Sequence, residues 1–173
     1  EAAGDHPVDW LEPELRHGRW LLAHCNYVEN RHIDILHRTG ATVAYCPVAS
    51  DYFGHRGHRY REMLEEGVTV CLGTDSLMCQ GPAAHIDDQP MSIFRQMRYL
   101  YQRDGTDPDE LLKMATTNGM LALEFAEADA TFRKGAPAQF AAVPFDENDQ
   151  TDPLTQALQT SYPVEPLDET AEQ

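Results

Sequence analysis

Three short apolar runs, each followed by a polar turn and an amphipathic stretch, set the rhythm of the first eighty residues. Residues 20–26, 42–47 and 68–72 are apolar, carry β-branched side chains in the second and third, and are too short for core helices, so they read as strands. Between them, residues 29–38 place Ile33, Leu36 and His37 at helical spacing and stop at Thr39-Gly40. Residues 59–66 turn Tyr60, Met63 and Leu64 inward and stop at Gly67. A shorter helix over 7–15, with Trp10, Leu11 and Leu15 on one face, precedes the first strand, and residues 48–55 read as a polar and aromatic loop.

Strand, helix, strand, helix, strand at intervals of about 25 residues is the pattern of successive parallel βα units. The loops after such strands open on one face, where a parallel barrel keeps its active site. Here they carry His24, the residues from Ser50 to His58, and Asp75. Asp75 closes Val68-Thr69-Val70-Cys71-Leu72-Gly73-Thr74-Asp75-Ser76, a buried strand running through a small turn onto a carboxylate; alone, that carboxylate reads most simply as a turn residue or helix N-cap. Alternation along the first strand puts Cys25 on the face opposite His24, which argues against a Cys25–His24 nucleophile and base.

Past Asp75, residues 77–89 read as a loop and residues 90–103 as a helix with Ile93, Met97 and Leu100 on one stripe. Asp107-Pro108 is a strong helix start, an N-cap followed by proline at the first position, for a helix expected to run to Phe125. A turn at Lys134-Gly135 and a strand over 139–145 follow. The resulting division is 1–128, then 129–146 as a return strand, then 147–173 as an acidic tail. No Lys or Arg occurs from Asp146 to Gln173, which reads as a solvated, flexible segment.

At 173 residues with 42% hydrophobic content the chain has room for one globular core. A complete eight-stranded barrel needs about 250 residues, so only part of one fits. The net charge of −16 argues against nucleic-acid and membrane-surface partners. Four cysteines without a C-x-x-C pair suit buried thiols in a reducing cytoplasm, and no signal peptide or long apolar span argues for another address.

An imidazole and a carboxylate at the ends of neighbouring parallel strands can share a metal ion and its water, although a catalytic zinc usually has three protein ligands. Leu22-Ala23-His24-Cys25-Asn26, Ala44-Tyr45-Cys46-Pro47-Val48-Ala49-Ser50, Leu72-Gly73-Thr74-Asp75-Ser76 and Ala115-Thr116-Thr117-Asn118-Gly119-Met120-Leu121-Ala122-Leu123 resemble, in order and spacing, motifs of the metal-dependent amidohydrolase superfamily. Its branch of chlorohydrolases and of deaminases of adenosine derivatives, such as methylthioadenosine and S-adenosylhomocysteine, is the best match.

That resemblance implies an α/β fold, the C-terminal part of a (β/α)8 TIM barrel (about strands 6 to 8) with a short return to a β-sandwich. It implies hydrolysis of a C–N or C–Cl bond on a small heterocycle by a metal-activated water. His24 matches the sixth-strand histidine that assists proton transfer, and Asp75 the eighth-strand aspartate that is metal ligand and proton shuttle. Ser50, His55, His58 and Ser76 are the candidate substrate contacts; a solvent-facing polar loop is the other reading of His55 and His58. The divalent metal is zinc, with iron or manganese as alternatives. The family's His-x-His pair and its fifth-strand histidine are absent, so the chain resembles the C-terminal half of an enzyme, inactive alone and a homo-oligomer when complete. Asp51 and the Ser76-Leu77 pair depart from the family's pattern and leave the substrate open. A non-catalytic acidic interaction module, a remnant that kept the strands and lost the metal, is the alternative.

Overall fold

The computed structural model describes residues 6–80, 91–125, 134 and 140–167. Helix α1 (Pro7–Leu15) leads into strand β1 (Leu21–Ala23), α2 (Asn30–Thr39), β2 (Thr42–Tyr45), α3 (Pro47–Tyr52), α4 (Tyr60–Glu65) and β3 (Val70–Leu72). A 3-10 turn over Leu77–Gln80 precedes α5 (Ile93–Asp104), α6 (Pro108–Ala115), α7 (Thr117–Ala122), β4 (Phe140–Ala142), α8 (Pro153–Gln159) and β5 (Glu165–Leu167). The βα rhythm read from the first eighty residues is present, and the three strands form one parallel sheet in the order β1-β2-β3.

Register decides what each face of that sheet does. Leu22 pairs with Val43 and Val43 with Val70, while Tyr45 pairs with Leu72, so these five share a face. That face meets Leu15 of α1, Ile33 and Leu36 of α2, Met63 of α4, Met97 and Leu100 of α5 and Leu111 of α6 in one apolar core. Leu21, Ala23, Thr42, Ala44 and Cys71 occupy the other face, where Leu21 remains 43% exposed.

Gly40 and Gly105 end α2 and α5 at φ of 68° and 62°, a backbone that glycine adopts without steric cost. Asp107 caps α6 as its sequence suggests, its Oδ1 accepting from the amides of Asp109 and Glu110.

Three expectations change. Residues 48–55 are not simply a loop, because α3 begins at Pro47, its ring pre-set for a first helical position, and buries Val48, Ala49 and Ser50. The helix from Pro108 does not reach Phe125. It breaks at Thr116 (φ −125°, ψ −86°), within a Thr-Thr-Asn-Gly run of weak helix formers, and the break lets Asn118 Nδ2 donate to the Val70 carbonyl of β3 at 2.8 Å. The acidic stretch after Asp146 is exposed over residues 146–150 and 161–163, but a helix with a buried face interrupts it. Asp152-Pro153 starts α8, which buries Gln156, Ala157 and Leu158, and Arg98 of α5 donates to the carbonyls of Ala157 (3.0 Å) and Tyr162 (2.6 Å). Strand β5 then pairs antiparallel with β4. Most of the loop read over 77–89, including His85, and Gly135 lie outside the described residues.

Candidate active site

His24 leaves β1 through an unusual backbone. Its amide continues the sheet by donating to the Ala44 carbonyl, but its φ is +68°, and the next amide, of Cys25, donates back to the Ala23 carbonyl at 2.9 Å. That i to i+2 bond about a positive φ is the rare, strained form of the γ-turn. Cys25 follows at φ +51°, so the strand alternation that set it opposite His24 stops one residue too early to apply. Asp75 leaves β3 at φ +58°. Non-glycine residues in this region cost about 1–3 kcal/mol each and persist where surroundings over-determine them.

The two turns bring the predicted pair together. His24 Nε2 lies 3.8 Å from Asp75 Oδ2, both side chains partly exposed. The expectation of neighbouring strands needs correcting: β2 lies between β1 and β3, which puts their axes roughly 9.5 Å apart. The side chains therefore lean toward each other over the end of β2. Cys46, the residue after β2, packs against Gly73 at the end of β3. Gly73 is required by this contact, because a Cβ there would stand 2.8 Å from Cys46 Sγ.

Each turn has a buried side chain behind it. His58 Nε2 donates to the His24 carbonyl at 2.6 Å, and its ring stacks on Tyr45 with centroids 3.7 Å apart. Burial, with Arg103 nearby, pushes the His58 imidazole down to about 4, so it is neutral near pH 7; the proton belongs on Nε2, since a carbonyl only accepts. Its buried Nδ1 has no hydrogen-bond partner among the described residues. Arg103 of α5 donates to the Tyr45 hydroxyl at 3.2 Å. On the other side Gln80, 2% exposed, donates through Nε2 to the carbonyls of Thr74 (2.6 Å) and Ser76 (3.5 Å), which flank Asp75.

The remaining candidates are placed differently from one another. Ser50 is buried, its Oγ donating to Asn26 Oδ1 at 2.9 Å, so it ties α3 to the loop after β1 and does not line an open surface. His58 has its polar atoms turned to backbone and interior. His55 shares a short hydrogen bond with the Tyr27 hydroxyl, beside exposed Phe53. Ser76 is exposed and has its Oγ 3.1 Å from Cys79 Sγ. Burial pushes the Cys25 and Cys46 thiols up to about 11, so neither offers a thiolate nucleophile at neutral pH.

Nitrogen and oxygen donors bound to one zinc at about 2.0–2.2 Å in a tetrahedral arrangement sit roughly 3.4 Å apart, close to the His24–Asp75 spacing. The pair fits part of a metal site. Among the described residues no group of three or more His, Cys, Asp or Glu completes one.

Residues 1–164 match the amidohydrolase family. The chain belongs to that family. It is 32% identical over 139 residues to a 5-methylthioadenosine/S-adenosylhomocysteine deaminase of Shouchella clausii, covering 79% of this chain and 32% of the relative. With the S-triazine hydrolase of Gordonia rubripertincta it shares 28% identity over 122 residues, 69% of this chain and 25% of the relative. Among solved structures, a triazine hydrolase variant superposes with a TM-score of 0.63 at 21% identity over 82% of this chain and 33% of that one. Guanine deaminase of E. coli superposes with a TM-score of 0.54 at 23% identity over 69% and 27%. These likenesses give the amidohydrolase chain the α/β fold of such enzymes, and it spans about a third of the length of the relatives. No helix among the described residues is long and apolar enough to cross a membrane.

Sequence reasoning missed Gln80, Gln96 and Tyr45 as parts of this site. The polar run after Asp75 offered no periodicity to mark Gln80 as buried, and Gln96 sits as one polar residue inside the α5 stripe.

Proposed function

We propose that this amidohydrolase chain carries part of the site of a metal-dependent hydrolase that removes the amine of a small amino-heterocycle, with His24 and Asp75 as its catalytic pair. The carrying observation is their 3.8 Å approach over the end of β2. The names of the relatives support an adenosine derivative such as methylthioadenosine as the substrate class. In this reading β1, β2 and β3 are the sixth to eighth strands of a (β/α)8 barrel, within residues 1–128, and the β4–β5 pair belongs to a small β-sandwich.

Asp75 would hold a divalent metal, zinc before iron or manganese, with other ligands from the rest of the complete enzyme. When bound, such an ion supplies Lewis-acid charge and brings a water's pKa to about 7. Asp75 accepts the proton given up as the water oxygen bonds to the amine-bearing ring carbon. His24 Nε2, facing the same point, orients the water and assists delivery of that proton to the departing nitrogen. The C–N bond breaks, oxygen stays on the ring and the amine leaves as ammonia. Hydrolysis at an s-triazine ring, with ammonia or chloride leaving, is a second reading that the S-triazine hydrolase likeness favours.

The test is ammonia release by the complete zinc-loaded enzyme from methylthioadenosine, S-adenosylhomocysteine, guanine and an amino-s-triazine, with chloride release from a chloro-s-triazine beside it. Turnover of an adenosine derivative that Asp75→Asn abolishes is the expected result. Release from none of them overturns the reading.

A further inference from the structure

We propose that His58 and Gln80 are the positioning residues of the His24–Asp75 pair, each holding the backbone of one partner in its left-handed turn. The proposal rests on the catalytic reading of that pair. Two strands separated by a third do not bring their end residues into contact by themselves. The approach depends on two backbones that side chains other than glycine rarely adopt, so something must fix each of them.

At the first turn the fixing group is the His58 ring. It donates to the carbonyl of His24 itself, at 2.6 Å, and cannot swing away because it lies flat on Tyr45, whose hydroxyl is held by Arg103. At the second turn one amide spans the residue it holds, donating to the carbonyls on both sides of Asp75. Gln80 is itself clamped: its Oε1 accepts from Arg95 Nη1 (2.9 Å) and from Gln96 Nε2 (3.4 Å). Gln96, fully buried, accepts the Val48 amide of α3 through its own oxygen at 3.3 Å. Both side chains spend their donors on backbone, so they act through His24 and Asp75 and not on a substrate.

The experiment compares His58→Phe and Gln80→Met with the parent in the complete enzyme. Phenylalanine keeps the ring on Tyr45 and methionine keeps the volume, and neither can donate. Crystal structures give the His24–Asp75 separation and the φ of Asp75; kinetics give kcat and KM per folded site beside Tm and metal content. The expected result is a pair opened beyond its present spacing and a kcat lowered about 10- to 100-fold, the cost of a misplacement on the order of 1 Å, with KM and metal content little changed. His58→Gln, whose amide nitrogen can stand where Nε2 stands, restores most of the kcat despite losing the stack.

An unchanged pair geometry in both variants, or a kcat that falls only with the folded fraction, overturns the proposal. Should the parent turn over no heterocycle, the catalytic reading fails separately, and the pair geometry in the variant crystals still decides whether His58 and Gln80 hold the turns.

Discussion

His24 and Asp75 face each other at 3.8 Å although a whole strand lies between the strands they follow. Their roles separate by substitution. Asp75→Asn removes a charge and a base, so turnover should fall nearly to zero and metal content should drop. His24→Asn should lose about 10²- to 10⁴-fold in rate, the range of a positioned acid–base group, with metal content near the parent's. Both variants should fold, since both side chains are partly exposed at strand ends. The measurement is kcat beside metal content; an Asp75→Asn protein that keeps both would reduce the pair to strand ends.

The same site loses metal when reduced to this chain. With Asp75 as the assigned ligand and His24 as at most a second donor, the 173-residue chain should come through dialysis against a mild chelator without zinc. Stoichiometric zinc left after that treatment would reveal further ligands.

His58 makes stability depend on pH in one window. Folded, its imidazole is held down at about 4; unfolded, it binds a proton at its ordinary 6.5. Between these values the unfolded state holds more protons, so stability falls as pH falls, by up to about 1.4 kcal/mol per pH unit. Above 6.5 the ring is neutral in both states and below 4 it is charged in both, so this contribution is flat outside the window. Urea midpoints from pH 8 to 4 measure the slope. His58→Phe cannot take up the proton and should be shallower by that amount; an equal slope would assign the effect to other groups.

Gly73 and Cys46 should behave as one unit. The Cβ of Gly73→Ala meets the Cys46 sulfur at 2.8 Å, inside a buried cluster with Ala49 and Cys79, and should cost about 1–3 kcal/mol as overpacking. Adding Cys46→Ala makes room and should recover much of that loss. A double-mutant cycle from denaturant unfolding reads the coupling, and strict additivity would show that the sulfur is not what excludes the methyl.

The acidic stretch contributes to the core through α8. Leu158 is fully buried, so Leu158→Ala should destabilise by about 2–5 kcal/mol. Asp152→Ala removes the acceptor for the Leu154 and Thr155 amides and should cost about 1 kcal/mol. Thermal melts of both check this, and parent-like stability for Leu158→Ala would mean that α8 does not pack on α5 and α6.

The parallel sheet was legible because Val43, Val70 and their neighbours sit in short apolar runs whose period the chain repeats. The closeness of His24 and Asp75 was foreseen, and their match to sixth- and eighth-strand residues already set one strand between them, but a positive φ at His24 or Asp75 leaves no mark in composition. Ser50 and His58 have the polar chemistry of ligand contacts, and only the hydrogen bonds to Asn26 and to the His24 carbonyl show them turned inward. At α8 the signal was present and outweighed. Asp152-Pro153 repeats the Asp107-Pro108 helix start, yet the absence of basic residues from Asp146 onward drew the whole segment toward solvent.

The grip on Asp75 has a consequence for chimeras. The side chains that shape its turn come from Gln80 and from Arg95 and Gln96 on α5, and Gln96 also reaches α3 through Val48. A crossover placed between the turn and α5 would join halves selected in different backgrounds and leave buried amides facing strangers. Gene shuffling among relatives should therefore tolerate breakpoints after Asp104 far better than breakpoints between Asp75 and Gln96, and the surviving recombinants of a library would display that boundary directly.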